Sequence, residues 1–480
     1  MVRPRPWSAL ALPFALALAA TGCIDRSIAE IDPNASGARQ TRFPVAIVPK
    51  LDLLFVVDDS GSMKREQDQM VANFNRMIEV LENLPVGLPD IHIGVVSTDV
   101  GANGCDAAPP AGVLRSAANP THDPALDGCT APTDAYISDE VDPSGNRTRN
   151  YDPGQGLART FACIAKLGTD GCHYEQPLQA MQLALSPSTT ANAGFRRSDA
   201  MLAVVFLTDE DDCSVAHQEL FSHEQTVVVG GQTINIGPEN KNFRCFGFAV
   251  ECEHAPAPSA DGREVEWTGC TPRDDAPFHR SVAEFTDFLT HLQPEEGQLV
   301  VAGIMGDAAP IKVSLDADGD QALGRSCEIG PDDEQGAFPP VRTDAFLNSF
   351  PNRVRTRICD ADLSPAMKEI GDYIGKKIID HCLTGAPVDR DPATEGIQPE
   401  CTVAEIQNPH QANEEQRTLP LCDNASDPGA SSHLPCYLLA ENLDVCTKED
   451  EPSHLEVQLH YPAGVEPPSG AVVAADCLTR

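Results

Sequence analysis

Residues 58–62 combine acidic and hydroxyl side chains at a spacing that suits a metal ion. The segment Asp58-Asp59-Ser60-Gly61-Ser62 places one carboxylate and two hydroxyls at alternate positions. In a tight loop such side chains can face a single point, and Gly61 lets the loop fold closely. Hard oxygen ligands suit Mg²⁺, Mn²⁺ or Ca²⁺. The pattern therefore predicts a divalent-cation site.

A buried strand precedes this loop, and a helix follows it. The apolar run 51–57 is typical of a strand covered on both faces, and residues 64–84 carry apolar side chains at helical spacing. Further apolar runs at 91–97, 201–207 and 298–304 predict more strands, with helical patterns between them. This alternation predicts an α/β fold with a doubly wound, mostly parallel sheet. Ligands of such sheets bind where the strands end.

Other acidic residues end strands on the same predicted edge. Asp209 follows the strand 201–207, and Asp99 follows the strand 91–97. We expect Asp209 to face the cation. Asp99 either supports the metal loop through a hydrogen bond or only caps a turn. The neighbouring acids at 210–212 are interpreted as a solvated rim rather than as ligands.

These features together resemble the von Willebrand factor A (vWA) family. The matching features are the apolar strand before Asp58, the Asp-x-Ser-x-Ser spacing, the following helix, and a later strand that ends in Thr208-Asp209. The resemblance covers residues 44–383. It implies a metal-ion-dependent adhesion site (MIDAS) in which Ser60 and Ser62 coordinate the cation, with Asp58 and Asp209 holding it directly or through water. It also implies adhesion or assembly with a protein ligand, not catalysis.

The resemblance implies one further ligand, a hydroxyl, in the loop 168–175. Here either Glu175 or Thr169 takes that place, and aligning the helix 175–185 on Ala180 favours Glu175. A carboxylate there would hold the cation more tightly and weaken its attraction for an acidic ligand. The alternative is that Glu175 only opens a helix, where acidic side chains are favourable.

The N-terminal residues predict export and a lipid anchor. Two arginines, an apolar run and small residues precede Cys23, the order of a signal peptide over 1–22. Ala20-Thr21-Gly22-Cys23 resembles the lipobox of bacterial lipoproteins, which implies acylation of Cys23; ordinary cleavage nearby is the alternative. Residues 23–43 are interpreted as a flexible tether. The expected location is the cell envelope, as an outer-membrane lipoprotein or at the cell surface.

The cysteines indicate the same compartment. Of 17 cysteines, 16 remain when Cys23 is set aside, and an even set in an exported chain predicts disulfides. A short loop such as Cys163 to Cys172 could close locally. Oxidation of Cys172 also argues against a nucleophile built from Cys172 and His173.

The predicted domain organisation follows from shifts in composition along the chain. The vWA-like domain spans 44–383, and a Cys-rich, disulfide-stapled, β-rich module spans 384–480. Cys-rich or polar insertions are predicted within the first domain at about 101–156, 213–275 and 307–340. The last insertion contains the acidic segment 316–320, which lacks the Gly and Glu of an EF-hand loop and is interpreted as a surface turn.

The net negative charge of the chain restricts the classes of partner that it is expected to bind. The net charge of −38 repels nucleic acid and anionic membranes, so neither is expected as a partner. The sequence predicts a lipid-anchored binding protein that recognises a protein ligand through a cation; an acidic side chain of that ligand is one candidate for the contact. One alternative is an envelope protein whose cation only stabilises the fold. A metal-dependent hydrolase is a weaker alternative, because no general base or nucleophile is evident from the spacing.

Overall fold

A computed structural model describes most of the chain in segments. The described residues are 37–44, 49–84, 87–101, 111–117, 128–142, 146–238, 241–259, 262–294, 296–330, 336–390, 393, 399–409, 411, 413–424, 426–443, 446, 453–465, 467–468 and 471–479. The predicted signal peptide and the predicted lipidation site, Cys23, lie outside these residues.

The described elements alternate between strands and helices in the first 380 residues and are mainly strands afterwards. The strands are β1 (Gly37–Pro44), β2 (Lys50–Val57), β3 (Asp90–Ser97), β4 (Ile137–Val141), β5 (Arg147–Arg149), β6 (Met201–Leu207), β7 (Thr226–Val229), β8 (Gln232–Asn235), β9 (Val250–His254), β10 (Val265–Pro272), β11 (Leu299–Met305), β12 (Ile311–Leu315), β13 (Gln321–Leu323), β14 (Cys327–Glu328), β15 (Gly336–Ala337), β16 (Arg353–Arg357), β17 (Cys401–Gln407), β18 (Glu415–Leu419), β19 (Cys436–Glu441), β20 (Leu455–His460) and β21 (Val472–Thr479). The helices are α1 (Lys64–Glu82), α2 (Leu157–Ala165), α3 (Pro177–Leu185), α4 (Lys241–Ala249), α5 (Val282–Leu292), α6 (Val341–Asn348) and α7 (Ser364–Ile378).

Strands between Lys50 and Arg357 form a seven-stranded sheet with the order β16-β11-β6-β2-β3-β4-β5. Strand β2 pairs in parallel with β3 on one side and β6 on the other, and β11 and β16 extend the parallel part. Strands β4 and β5 are antiparallel. The prediction of a mostly parallel α/β sheet is confirmed. Because the chain moves from β2 to β3 and later returns to β6, a crevice forms at the carboxyl end of β2.

Both faces of this sheet are covered by helices. Leu53 and Phe55 of β2 belong to one apolar core with residues of α1, α2 and α7, whereas Leu54 and Val56 belong to a second core with residues of α3, α5 and α6. Successive side chains of a strand point to opposite faces, so a strand between two cores must be apolar throughout. This requirement explains the uninterrupted apolar runs of the sequence.

The predicted insertions do not fold as separate units. Strands β4 and β5 arise from the insertion at 101–156 and extend the main sheet at its edge. Strands β9 and β10, from the insertion at 213–275, pair with β12 and β13, from the insertion at 307–340, in one four-stranded antiparallel sheet. Pairing between segments so distant in the chain leaves no local sequence signal.

Strand β16 was not among the predicted strands. Its sequence Arg353-Val354-Arg355-Thr356-Arg357 has no apolar run, because only Val354 and Thr356 are buried at this edge of the sheet. An edge strand with one polar face alternates instead of reading as a continuous apolar segment. The strand lies between α6 and α7 and leaves no continuous apolar run in the sequence.

C-terminal strands and β1 form another four-stranded sheet, of order β1-β21-β17-β18, and β19 and β20 form a separate pair. Residues 37–43, expected within the flexible tether, instead belong to β1, which pairs along its whole length with β21. The tether interpretation therefore does not hold for this segment. The partner strand lies more than 400 residues away, so composition alone could not reveal the pairing.

Seven disulfides are described, as expected for a protein that folds outside the cytoplasm. The pairs are Cys129–Cys163, Cys213–Cys245, Cys252–Cys270, Cys327–Cys359, Cys382–Cys446, Cys401–Cys477 and Cys422–Cys436. Local closure between Cys163 and Cys172 was wrong, because Cys163 pairs with Cys129; Cys172 is also disulfide-bonded. Within the described segments, every helix is too short or too polar to cross a bilayer.

We expect Phe74→Ala to destabilise the first domain strongly. Phe74 is fully buried on α1, and its ring stacks on Phe161 of α2 with centroids 3.8 Å apart. Loss of a buried aromatic ring leaves a cavity and costs about 3–5 kcal/mol. The free energy of unfolding by denaturant measures the effect. Asn75→Ala, at an exposed neighbouring position, is the control, and equal losses in both variants would contradict this packing.

Candidate metal centre

The loop that begins at Asp58 is fastened to the ends of two neighbouring strands. The Asp58 N–H donates to the carbonyl of Leu207 at the end of β6 (2.9 Å), and the Thr98 N–H donates to the carbonyl of Val57 (3.1 Å). The three parallel strands β3, β2 and β6 therefore end side by side. Residues that follow them share one rim of the sheet.

The Asp58 carboxylate is fully buried and holds this rim together. Its Oδ1 accepts a hydrogen bond from the Ser60 N–H (2.8 Å), and its Oδ2 accepts one from the Thr208 hydroxyl (2.7 Å). The Gln67 side chain of α1 donates to the carbonyl of Asp58 (2.9 Å) and to that of Gly168 (2.8 Å). One amide thus ties the metal loop to the loop that leads to Glu175.

The two hydroxyls of the motif face each other. Ser60 Oγ lies 3.3 Å from Ser62 Oγ. Ser60 is buried, whereas Ser62 is exposed and hydrogen-bonds to Asp209. The structure therefore brings Asp209 to the serines across 146 or more intervening residues.

Asp209 is a buried acid with an incompletely satisfied side chain. Its Oδ1 is buried without a hydrogen-bond partner. Burial raises its pKa to about 8, and the nearby charge of Asp58 contributes in the same direction. Its backbone carbonyl accepts a hydrogen bond from the Phe338 N–H (2.8 Å), so the insertion after β13 covers this side of the rim.

Glu175 lies beside Asp58, just before α3. Its Oε2 accepts a hydrogen bond from the Thr98 hydroxyl, while its Oε1 is buried without a partner. Burial raises the pKa of Glu175 well above its usual value, and the charges of Asp58 and Asp59 add to this effect. Thr169, the alternative ligand, is half-buried and makes no hydrogen bond to the metal loop within the described segments. The geometry favours Glu175.

Asp59 was not singled out from the sequence, yet it joins the metal loop to β3. Its Oδ1 accepts a hydrogen bond from the Ser97 hydroxyl (2.7 Å), and burial raises its pKa to about 7. Its carbonyl accepts a hydrogen bond from the Gly171 N–H (2.8 Å). A Cβ at Gly171 would lie 2.5 Å from Asp59 Oδ1, so only glycine permits this approach. In the sequence, the position of Asp59 directly after Asp58 is the feature that could have indicated its role in the metal loop.

Asp99, which follows β3, makes hydrogen bonds that support the rim. Its Oδ1 accepts a hydrogen bond from the Gly101 N–H (2.8 Å), and its Oδ2 accepts one from the Cys172 N–H (3.2 Å). The first contact caps a turn, as one of the two expectations had it. The second holds the segment that carries Glu175 and does not touch Asp58.

The acids at 210–212 are not a uniform solvated rim. Asp212 is buried in an ion pair with Arg342 of α6 (3.0 Å), and Asp211 accepts hydrogen bonds from the N–H groups of Arg342 and Thr343. Both acids therefore anchor the start of α6, and the rim interpretation was wrong for them. Glu210 is half-buried, and its charge raises the pKa of Glu175.

The donor set fits a hard divalent cation. Glu175 Oε1 and Asp209 Oδ1 are buried carboxylate oxygens without hydrogen-bond partners, an arrangement that is costly unless a cation or water satisfies them. With Asp58 and the two serine hydroxyls, every donor atom of the set is oxygen, which suits Mg²⁺, Mn²⁺ or Ca²⁺.

Two other candidate sites carry no metal chemistry. Sulfur and nitrogen atoms of Cys213, Cys245 and His279 lie within 4.8 Å of one another, but the two cysteines form a disulfide. The segment 316–320 is the turn between β12 and β13, in which Asp316 Oδ1 accepts hydrogen bonds from the N–H groups of Asp318 and Asp320. It is a surface turn, as predicted.

Comparison with known proteins gives only distant likenesses. No protein-family model and no curated protein matches the chain. Similar solved structures include the pilus adhesin SpaC from Lactobacillus rhamnosus GG in its open conformation (11% identity, TM-score 0.31, 93% of this chain and 41% of that chain). They also include the pilus adhesin RrgA from Streptococcus pneumoniae (9% identity, TM-score 0.27, 92% and 58%).

A third similar structure is proximal thread matrix protein 1 from the mussel byssus (10% identity, TM-score 0.26, 70% of this chain and 48% of that chain), also solved with a zinc-occupied MIDAS motif. The chain thus spans less than two thirds of each of these proteins. All three TM-scores lie below 0.5, so the functional argument rests on the residues of the site.

The metal-free chain should lose stability as the pH rises from about 4 to about 8. Asp209 has a pKa of about 8 in the folded state against 3.8 as a free side chain, so folding takes up a proton between these values. Its contribution is complete below about pH 4 and is lost as the pH rises through about 8, on the order of a few kcal/mol. Denaturant unfolding in chelator measures this dependence.

Asp209→Asn should flatten the pH dependence in chelator, since an amide carries no proton to lose. Asp318→Asn, at an exposed position of the β12–β13 turn, should leave the slope unchanged. A slope that is identical in the wild type and in Asp209→Asn would show that Asp209 is not a buried acid in the metal-free chain.

Proposed function

We propose that this chain is an exported, vWA-like binding protein that mediates adhesion or assembly at the cell surface. The strand order around β2 and the helices on both faces support a doubly wound, vWA-like domain. In this proposal Asp58, Ser60, Ser62, Glu175 and Asp209 hold a divalent cation, Mg²⁺, Mn²⁺ or Ca²⁺. The signal-like residues 1–22 and Cys23 support a lipid anchor in the outer membrane.

One observation carries the proposal. Two carboxylates from distant parts of the chain, Glu175 and Asp209, each have a buried oxygen without a hydrogen-bond partner, and the charge of Asp58 acts on both. Like charges so close together are unfavourable without a counter-charge. A bound cation would satisfy both oxygens and remove the repulsion.

The exposure of the site favours ligand binding over a purely structural cation. Ser62 and Gly61 are exposed, although Ser60 and Asp58 beside them are buried. A cation held by these residues would be reached from solvent on the Ser62 side. A partner's oxygen could then complete its coordination. In this proposal the chain is a binding protein and not an enzyme.

Divalent cations should stabilise the chain and bind with a measurable heat. A ligand that binds only the folded state adds about 2.7 kcal/mol of stability at 100 times its Kd. Calorimetry and thermal unfolding with Mg²⁺, Mn²⁺ or Ca²⁺ against chelator test this expectation. Asp58→Asn should abolish both signals, whereas Asp318→Asn should retain them. Absence of binding by all three cations in the wild type would refute the site.

Partner capture should depend on the same cation. Immobilised wild-type chain, incubated with solubilised cell-envelope proteins in Mg²⁺, should retain a partner that chelator releases. Asp58→Asn should not retain it, and Asp318→Asn should. A partner that stays bound in chelator would instead support the alternative, in which the cation only stabilises the fold and the contacts lie elsewhere.

A further inference from the structure

Resting on the proposed cation site, we propose that Thr98 is a positioning residue that sets how Glu175 meets the cation. The Thr98 hydroxyl engages one oxygen of the Glu175 carboxylate, so that only the other oxygen is available as a ligand. A glutamate restricted to one oxygen favours Mg²⁺ over Ca²⁺, because the larger coordination shell of Ca²⁺ accepts both oxygens of a carboxylate. Thr98 thereby sets the preference between these cations.

Thr98 has a fixed place directly after β3. The residue is fully buried, and its N–H donates to the carbonyl of Val57 at the end of β2 (3.1 Å). Its carbonyl accepts a hydrogen bond from the Gln176 N–H (3.1 Å). A side chain branched at Cβ has few rotamers open to it. The hydroxyl is therefore held between β2 and the residue that follows Glu175.

The backbone around Glu175 is fixed independently of its side chain. The carbonyl of Glu175 accepts a hydrogen bond from the Cys213 N–H (2.7 Å), and the next N–H, that of Gln176, donates to Thr98. Helix α3 begins at Pro177, two residues after Glu175. Rotation of the Glu175 side chain is then the freedom that matters to a cation, and the contacts of its carboxylate decide this rotation.

The two oxygens of the Glu175 carboxylate have different surroundings. Oε2 accepts a hydrogen bond from the Thr98 hydroxyl, whereas Oε1 is buried and has no hydrogen-bond partner among the described residues. A buried oxygen without a partner gains more from a cation than an oxygen that already accepts a hydrogen bond. Glu175 therefore offers Oε1 and keeps Oε2 for Thr98.

A second threonine makes the corresponding contact at the end of β6. The Thr208 hydroxyl donates to Asp58 Oδ2 (2.7 Å). Thr98 and Thr208 each follow the last residue of a parallel strand, and each engages one oxygen of an acid on a neighbouring segment. Hydrogen bonds from such surrounding groups orient the carboxylates of metal sites, and their loss commonly weakens metal binding about 10–100-fold.

Loss of the Thr98 hydroxyl should change the number of oxygens that Glu175 offers. Without it, Oε2 would be buried beside a methyl group, and contact with the cation would become its favourable alternative. Ca²⁺ accommodates an added oxygen in its flexible shell, whereas Mg²⁺ demands near-octahedral geometry. The change should therefore favour Ca²⁺ relative to Mg²⁺, which a general loss of packing would not do.

Calorimetric titration of the full chain with Mg²⁺ and with Ca²⁺ tests the proposal. The measured quantity is the Kd for Ca²⁺ divided by the Kd for Mg²⁺. Thr98→Val keeps the branched shape of the side chain and removes the hydroxyl, and it should lower this ratio about tenfold or more. Thr98→Ser, which keeps the hydroxyl, should retain the ratio of the wild type.

Thr160→Val is the matched control. Thr160 is a fully buried threonine of α2, and its hydroxyl donates to the carbonyl of Gly156 (2.9 Å). Its replacement should lower the free energy of unfolding and leave the ratio of the two Kd values unchanged. Far-UV circular dichroism in chelator establishes that each variant is folded.

Glu175→Gln tests the proposal without any change at Thr98. An amide has a single oxygen, so a glutamate that already offers only one oxygen loses its charge but no ligand atom. Both Kd values should rise by similar factors, and Thr98→Val in this background should no longer change their ratio. A much larger loss of Ca²⁺ binding than of Mg²⁺ binding would show that both oxygens of Glu175 act in the wild type.

The outcomes separate this inference from the proposed function. If none of Mg²⁺, Mn²⁺ and Ca²⁺ binds the wild type, both proposals are wrong. If Ca²⁺ binds and Mg²⁺ does not, or if Thr98→Val lowers both affinities equally or changes neither, the inference is wrong while the cation site stands. If Thr98→Val does not fold, the Kd ratio of Glu175→Gln decides between a one-oxygen and a two-oxygen ligand.

Discussion

The main physical constraint at the carboxyl end of β2 is the repulsion among the acidic side chains that the fold buries there. Parallel strands β3, β2 and β6 end together, and each is followed by an acidic residue that the fold buries. Asp99, Asp58 and Asp209 consequently have raised pKa values, with burial as the main cause. A buried charge needs compensation by hydrogen bonds, by protonation or by a counter-ion. The rest of the fold supplies hydrogen bonds to some of these acids and leaves Glu175 Oε1 and Asp209 Oδ1 without a hydrogen-bond partner.

Hydrogen bonds compensate the charges of Asp58 and Asp59 more completely than those of Glu175 and Asp209. Both oxygens of Asp58 accept hydrogen bonds, and Ser97 satisfies one oxygen of Asp59. Glu175 and Asp209 instead retain one buried oxygen each without a hydrogen-bond partner. Asp58, whose oxygens both accept hydrogen bonds, therefore builds the rim. Glu175 and Asp209, which each keep an oxygen without a partner, remain available to a cation.

Segments from the insertions cover this edge of the sheet and contact Asp209 and Glu175. The second and third insertions pair through β10 and β12, and the segment after β13 donates a backbone hydrogen bond to Asp209. The Cys213–Cys245 disulfide fixes the same region close to Glu175, whose carbonyl accepts a hydrogen bond from the Cys213 N–H. The insertions thereby place the apolar side chains of Phe246, Leu323 and Phe338 around a small cavity that Glu175 also lines.

The sequence by itself determined the central strands, their helices and the acidic motif, because burial on two faces imposes an unbroken apolar run and helical packing imposes its own period. It also indicated Asp209 and narrowed the further ligand to Glu175 or Thr169. Only the tertiary structure decided that Glu175 lies beside Asp58, that Asp211 and Asp212 anchor α6, and that Gly37–Pro44 is a strand. These outcomes depend on contacts between segments far apart in the chain, and such contacts leave no periodic pattern in either segment.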